Sequence, residues 1–168
     1  MLDSLIHKAI ILVGGEGTRL RPLTYTSTKA MMPVLNIPFI ERVVAYLLSY
    51  DITGIILAMG YQPDSISRYF ASRDNAGADL FYSVEEHALG TAGAVKNAER
   101  YIGPGETFFV LNGDIFTDLD LHAMQTYHRK KRAAVTIALT PVADPSQFGM
   151  VLREGGDRIT GFIEKPAA

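Results

Sequence analysis

At 168 residues the chain suits one domain, long enough to bury roughly 70% of the surface that its unfolded form would expose. Hydrophobic residues at 48% and charged residues at 20% describe an ordinary globular core, and a net charge of −2 makes no electrostatic case for nucleic acid or an anionic membrane as a partner. The absence of cysteine excludes disulfides, thiolate metal sites and cysteine nucleophiles, and no apolar run reaches membrane-spanning length, so the expected setting is the cytoplasm.

The first strand candidate, "KAIILV" at 8–13, is apolar from Ala9 to Val13, a run too short to read as a signal peptide. A turn-rich stretch follows, "VGGEGTRLRPLTYTSTK" from Val13 to Lys29. A helix is expected from Pro38, a good first-turn residue, to about Tyr50, with Ile40, Val43, Val44 and Leu47 along one stripe. Next come a strand "GIILAM" at 54–59, a helix starting near Pro63, and a strand "DLFYSV" at 79–84. A helix over Thr91 to Tyr101 precedes the strand "TFFVLN" at 107–112, and another from Asp120 to Arg132 precedes "AVTIALT" at 134–140. The basic run "HRKKR" closes that last helix, where cations complement the dipole. After the turn-rich "PVADPSQFG", the runs 150–154 and 158–165 flank Gly155-Gly156-Asp157 and read as a β-hairpin. Strands that are apolar on both faces and alternate with helices predict a three-layer α/β/α, Rossmann-like fold. Its sheet is expected to be mixed but mostly parallel.

Glycine-rich turns after an apolar strand cradle phosphates, and three such loops compete for Gly14 to Lys29. The P-loop spacing is absent. The dinucleotide fingerprint needs a third glycine where Leu20 stands, which disfavours a dehydrogenase. What remains is a loop whose backbone N–H groups hold part of a triphosphate while Arg19 and Lys29 neutralise the rest. The competing plain reading is a flexible strand-to-helix turn with solvated cations.

The longer pattern is similar to that of the sugar-nucleotide pyrophosphorylases, nucleotidyltransferases that act on sugar 1-phosphates. Their signature "GGxGTRLxPLT…PKPMxPVxNxP" is met by Gly14 through Thr24 and by "KAMMPVLNIP" at 29–38, with Thr28 and Ala30 where the family has prolines around the lysine. "LGTAGA" (89–94), "NGD" (112–114), "FG" (148–149) and "EKP" (164–166) follow in family order. The opening and the "EE…LGTAGA" variant most resemble the mannose-1-phosphate guanylyltransferases. The resemblance covers essentially the whole chain and implies the nucleotide-diphospho-sugar transferase fold. It also implies transfer of a nucleotidyl group from a nucleoside triphosphate, GTP first among them, to a sugar 1-phosphate.

In that reaction a phosphate oxygen attacks the α-phosphorus and pyrophosphate leaves. A phosphate monoester with its second pKa near ~6 is already largely dianionic at pH ~7 and needs no general base. The demand is for cations and a divalent metal. By resemblance, Arg19 grips the β- and γ-phosphates, Lys29 neutralises the phosphates from the other side, and Lys165 pairs with the sugar phosphate. Asp114 ends a strand at the carboxyl edge of the sheet and is expected to hold Mg²⁺. The plain reading of Asn112-Gly113-Asp114 is a common turn. The resemblance assigns the nucleotide to Leu12, Gly14, Gly15, Gly17, Thr18, Arg19, Glu86, Gly90 and Thr91, and the sugar phosphate to Asn112, Gly149, Glu164 and Lys165. Guanine offers N1–H and N2–H donors to a carboxylate, which points to Glu86 or Glu85.

His7, His87, His122 and His128 lack metal-ligand spacing. Other bases and sugars stay open, as does a non-catalytic regulatory module of the same fold. In the family the catalytic domain continues past Glu-Lys-Pro and brings a second metal-binding aspartate. The expectation is therefore a part of a longer enzyme, the truncated catalytic domain spanning 1–168, that binds nucleotide but turns over poorly alone. An uncovered apolar edge near "RITGFIEK" would invite self-association, so a homo-oligomer is kept among the partners.

Overall fold

The computed structural model describes residues 5–15, 17–60 and 63–165. Glu16 of the glycine loop and Pro166 of the "EKP" motif lie outside the described residues. The chain divides into two compact units, Met1–Thr126 and Tyr127–Ala168.

In the first unit, β1 (Lys8–Leu12), β4 (Gly54–Met59), β5 (Asp79–Val84) and β6 (Phe109–Asn112) form a parallel sheet in the order β5-β4-β1-β6. The short strands β2 (Pro33–Val34) and β3 (Ile37–Pro38) pair separately. The central strands β1, from Ala9 on, and β4 are apolar because both of their faces are covered. Ala9, Ile11, Ile55, Leu57 and Met59 point to one face, where they meet α1 (Phe39–Leu48), α2 (Pro63–Ala71) and Leu121 at the start of α4 (Leu121–Lys131). Ile10, Ile56 and Ala58 point to the other, where Ala94 of α3 (Gly90–Asn97) and Ala98 of the following 3₁₀ turn close over them. Side chains that alternate along each strand thus feed two cores, and the three layers follow. The edge strand β5 alternates exposed and covered residues, as one open flank dictates.

From β1 the chain steps outward to β4 and β5, then returns to place β6 on the other side of β1. That reversal between β1 and β6 opens a crevice at their carboxyl ends, the place where ligands collect in open α/β sheets. The loop after β6 is pinned against α1 at two points. Phe116 meets Phe39 edge to face at 4.4 Å, and the Tyr46 hydroxyl donates to the Leu119 carbonyl oxygen at 2.5 Å. Burial, reinforced by Tyr50, Asp118 and Asp120, pushes the Tyr46 pKa up to about 12, so the hydroxyl keeps its proton and its role as donor at neutral pH.

The second unit is built on an antiparallel hairpin, β7 (Gly149–Glu154) and β8 (Arg158–Glu164). Gly155 and Gly156, at φ +58° and +99°, make its turn, in a region of backbone space open to glycine at little cost. Lys131 pairs with Asp157 at 2.9 Å beside that turn. The expected strand at 134–140 is not formed, and Val135 is 73% exposed. Its β-branched pattern suits a strand, but a strand exists only where a neighbour supplies the ladder, and β7 and β8 pair with each other. Among the described residues the four-stranded sheet is parallel, and antiparallel pairing occurs in the two small sheets.

Candidate active site

The end of β1 sets the geometry. Val13 donates its N–H to the Ala58 carbonyl oxygen and Gly113 its N–H to that of Leu12, each at 2.9 Å, so the strand is held from both sides where the glycine loop leaves it. Gly14 then passes close to Gly60, and Gly17 turns at φ +61° into a 3₁₀ turn over Thr18–Leu20 that carries Arg19. Arg19 is exposed and, among the described residues, makes no ion pair.

Lys29 reaches the same place from a second 3₁₀ turn, Lys29–Met31. Its Nζ donates to Asp114 Oδ2 at 2.5 Å. Both side chains remain substantially exposed, so their attraction is screened by water and adds at most about 1 kcal/mol to stability. Thr28 before it, at φ −71° and ψ 157°, holds the extended conformation that proline also adopts, so the departure from the family pattern preserves the backbone path.

Gly113 explains the middle of "NGD". A Cβ there would stand 2.3 Å from Val13 Cγ1 and 3.1 Å from the Leu12 carbonyl oxygen. The residue is a close-packing requirement between β6 and β1 as well as a turn. Gly113→Ala is therefore expected to cost about 1–3 kcal/mol through overpacking, read as a lower midpoint in thermal or urea unfolding. An unchanged midpoint would show that Val13 yields freely.

These elements enclose a cleft of about 720 Å³, within the usual range for a small-molecule site. Leu12, Gly14, Gly15, Gly17, Thr18, Arg19, Lys29, Gly90, Thr91, Asn112 and Asp114 all line it. Glu86 does not: it is exposed outside the lining, and Glu85 takes the place in the wall. Glu85 Oε2 accepts the Leu89 N–H at 3.1 Å, and its Oε1 lies beside Gly14. The sequence left the two glutamates as alternatives, and only the path of the backbone after β5 separates them. Ala58, Ala88 and Ala94 also line the cleft, and no chemical signal in the sequence marks an alanine that walls a ligand space.

In the second unit the hairpin brings its three expected residues together. Gly149 is paired with Glu164, whose Oε2 stands 3.1 Å from where a Cβ on Gly149 would lie. Lys165 follows at once and donates its N–H to the Phe148 carbonyl oxygen at 3.2 Å.

Of the two carboxylates that line the cleft, Glu85 is tied to the Leu89 N–H and Asp114 faces Lys29, and no group of three or more His, Asp or Glu capable of holding a metal occurs among the described residues. That donor set fits Mg²⁺ bound through one carboxylate, waters and substrate phosphates, and Asp114 already accepts a cation at Oδ2. No helix among the described residues is long and apolar enough to cross a membrane.

Comparison with known proteins agrees with this fold. A family model described as nucleotidyl transferase matches residues 8–168. The mannose-1-phosphate guanylyltransferase of Mycobacterium tuberculosis is 38% identical over 157 residues, covering 94% of this chain and 44% of that protein. The chain thus spans under half the length of that relative. Among solved structures, HddC from Yersinia pseudotuberculosis complexed with GMP-PN aligns with a TM-score of 0.79 at 28% identity, covering 96% of this chain and 70% of that one. A putative glucose-1-phosphate thymidylyltransferase from Bacillus anthracis aligns at 0.81 and 31% identity, over 95% of this chain and 64% of that one. With its parallel sheet, its glycine loop at the β1–β6 crevice and a match over nearly all its residues, the chain belongs to the nucleotidyl transferase family.

Proposed function

We propose that this chain binds a nucleoside triphosphate in the β1–β6 cleft and serves transfer of its nucleotidyl group to a sugar 1-phosphate, with GTP and mannose 1-phosphate as the substrates. One observation carries this reading: the glycine loop, Arg19, Lys29 and Asp114, drawn from separate parts of the sequence, line a single cleft. The similarity to a mannose-1-phosphate guanylyltransferase supports the choice of base and sugar.

In the proposed step an oxygen of the sugar 1-phosphate forms a bond to the α-phosphorus, and the bond from that phosphorus to the β-bridging oxygen breaks. Backbone N–H groups of Gly14, Gly15, Gly17 and Thr18 hold the triphosphate, and Arg19 supports the charge that develops on departing pyrophosphate. Lys29 leaves Asp114 for the phosphates, which frees the carboxylate for Mg²⁺. Asp114 would hold the ion, which would supply neutralisation of phosphate charge and orientation of the triphosphate. Glu85, with one oxygen fixed by Leu89, is the carboxylate offered to guanine N1–H and N2–H. Glu164 and Lys165 carry the sugar and its phosphate, with Gly149 allowing close approach.

The test is pyrophosphate release from each of four nucleoside triphosphates crossed with mannose, glucose, galactose and N-acetylglucosamine 1-phosphates. The expected result is predominant use of GTP with mannose 1-phosphate. Preference for dTTP and glucose 1-phosphate, the pairing suggested by the thymidylyltransferase neighbour, would replace it.

A further inference from the structure

Two threonine side chains of the glycine loop are buried, Thr24 and Thr28, and the hydroxyl of Thr24 is the one with a hydrogen-bond partner among the described residues. Thr24 is 1% exposed, and its hydroxyl donates to the Gly17 carbonyl oxygen at 2.9 Å. The same oxygen accepts the Leu20 N–H at 2.9 Å, closing the turn that carries Arg19. Thr24 Cγ2 also stands 3.0 Å from where a Cβ on Gly17 would lie, with Lys29 Cβ at 3.3 Å. The chain reaches this position by successive tight turns, Leu23 N–H to the Leu20 carbonyl oxygen and Tyr25 N–H to that of Pro22, which fold residue 24 back onto residue 17.

Gly17 needs such a restraint. Glycine visits positive and negative φ with similar ease, so a φ of +61° is one of several conformations open to it. A donor fixed on its carbonyl and a methyl 3.0 Å from where its Cβ would lie select this one. We propose that Thr24 is the positioning residue of the loop: it clamps the Gly17 carbonyl so that the Thr18–Leu20 turn presents Arg19 to a triphosphate in one orientation. The inference rests on the nucleotidyl transfer reading. It makes Thr24 act through Arg19 and the loop backbone, with no contact to substrate.

The test uses Thr24→Val, which keeps the shape and the methyl but removes the donor, and Thr24→Ser, which keeps the donor. Hydrogen exchange at the Leu20 amide reports the turn directly, and titration with a fluorescent GTP analogue reports the site. Thr24→Val is expected to exchange about tenfold faster at Leu20 and to bind the analogue about tenfold more weakly, as the loss of one hydrogen bond that preorganises a loop implies. Thr24→Ser should recover most of both, and the KM for sugar 1-phosphate should be unmoved in either variant. Unchanged exchange in Thr24→Val would overturn the clamp. So would faster exchange with unchanged nucleotide affinity, which would reduce Thr24 to a structural hydroxyl. Failure of the unaltered chain to bind any triphosphate would instead overturn the reading on which the clamp rests, and it is seen before any variant is made.

Discussion

Arg19→Ala lowers kcat by about 10²–10³, the loss that follows removal of a preorganised group facing developing charge. The side chain sits on a 3₁₀ turn at the wall of the cleft and makes no ion pair among the described residues, so its charge is available to an anion. Because Arg19 is exposed and its removal uncovers no core, the thermal midpoint should hold while turnover falls. Arg19→Lys recovers only part of the rate, since a point charge replaces a planar fork that can grip two phosphate oxygens at once. Turnover, midpoint and pyrophosphate inhibition measured on the three proteins decide the matter. A fully active Arg19→Ala would return the glycine loop to an ordinary strand-to-helix turn.

Asp114→Asn keeps the size of the side chain and removes the charge that Mg²⁺ requires, so metal-dependent turnover should fall by about 10²–10³. The fold should survive. The Lys29 pair that is lost is exposed on both sides and contributes at most about 1 kcal/mol, which for a chain of this size moves the midpoint by roughly 2–4 °C. Binding of Mn²⁺ in the presence of triphosphate provides a readout separate from turnover, and it should weaken in the variant. Loss of stability and activity together would make Asp114 a structural turn residue.

Much of this was legible in the chain itself. Five-residue and six-residue apolar runs, too short for helices and free of polar alternation, marked β1 and β4 as strands covered on both faces. The stripe of Ile40, Val43, Val44 and Leu47 marked the buried side of α1. Glycines, arginine and lysine after the first strand marked the loop that lines the cleft. These features are local, since periodicity and charge are properties of neighbours in sequence. The segment 134–140 misled for the complementary reason: its composition is that of a strand, and pairing is a property of the surroundings.

The sequence by itself determined the order of strands and helices that build the parallel sheet, the two-sided burial of the central strands and the residue types that line the cleft. Only the tertiary structure decided which of those residues meet. The return of the chain to place β6 beside β1 carries Asp114 onto Lys29 across 85 positions of sequence, and the bend after β5 turns Glu85 rather than Glu86 into the cleft. Folding Thr24 back onto Gly17 likewise depends on turns whose hydrogen bonds exist only once the loop has closed. Chemistry is written residue by residue, whereas proximity follows from strand order and loop path, which the two cores impose on the chain as a whole.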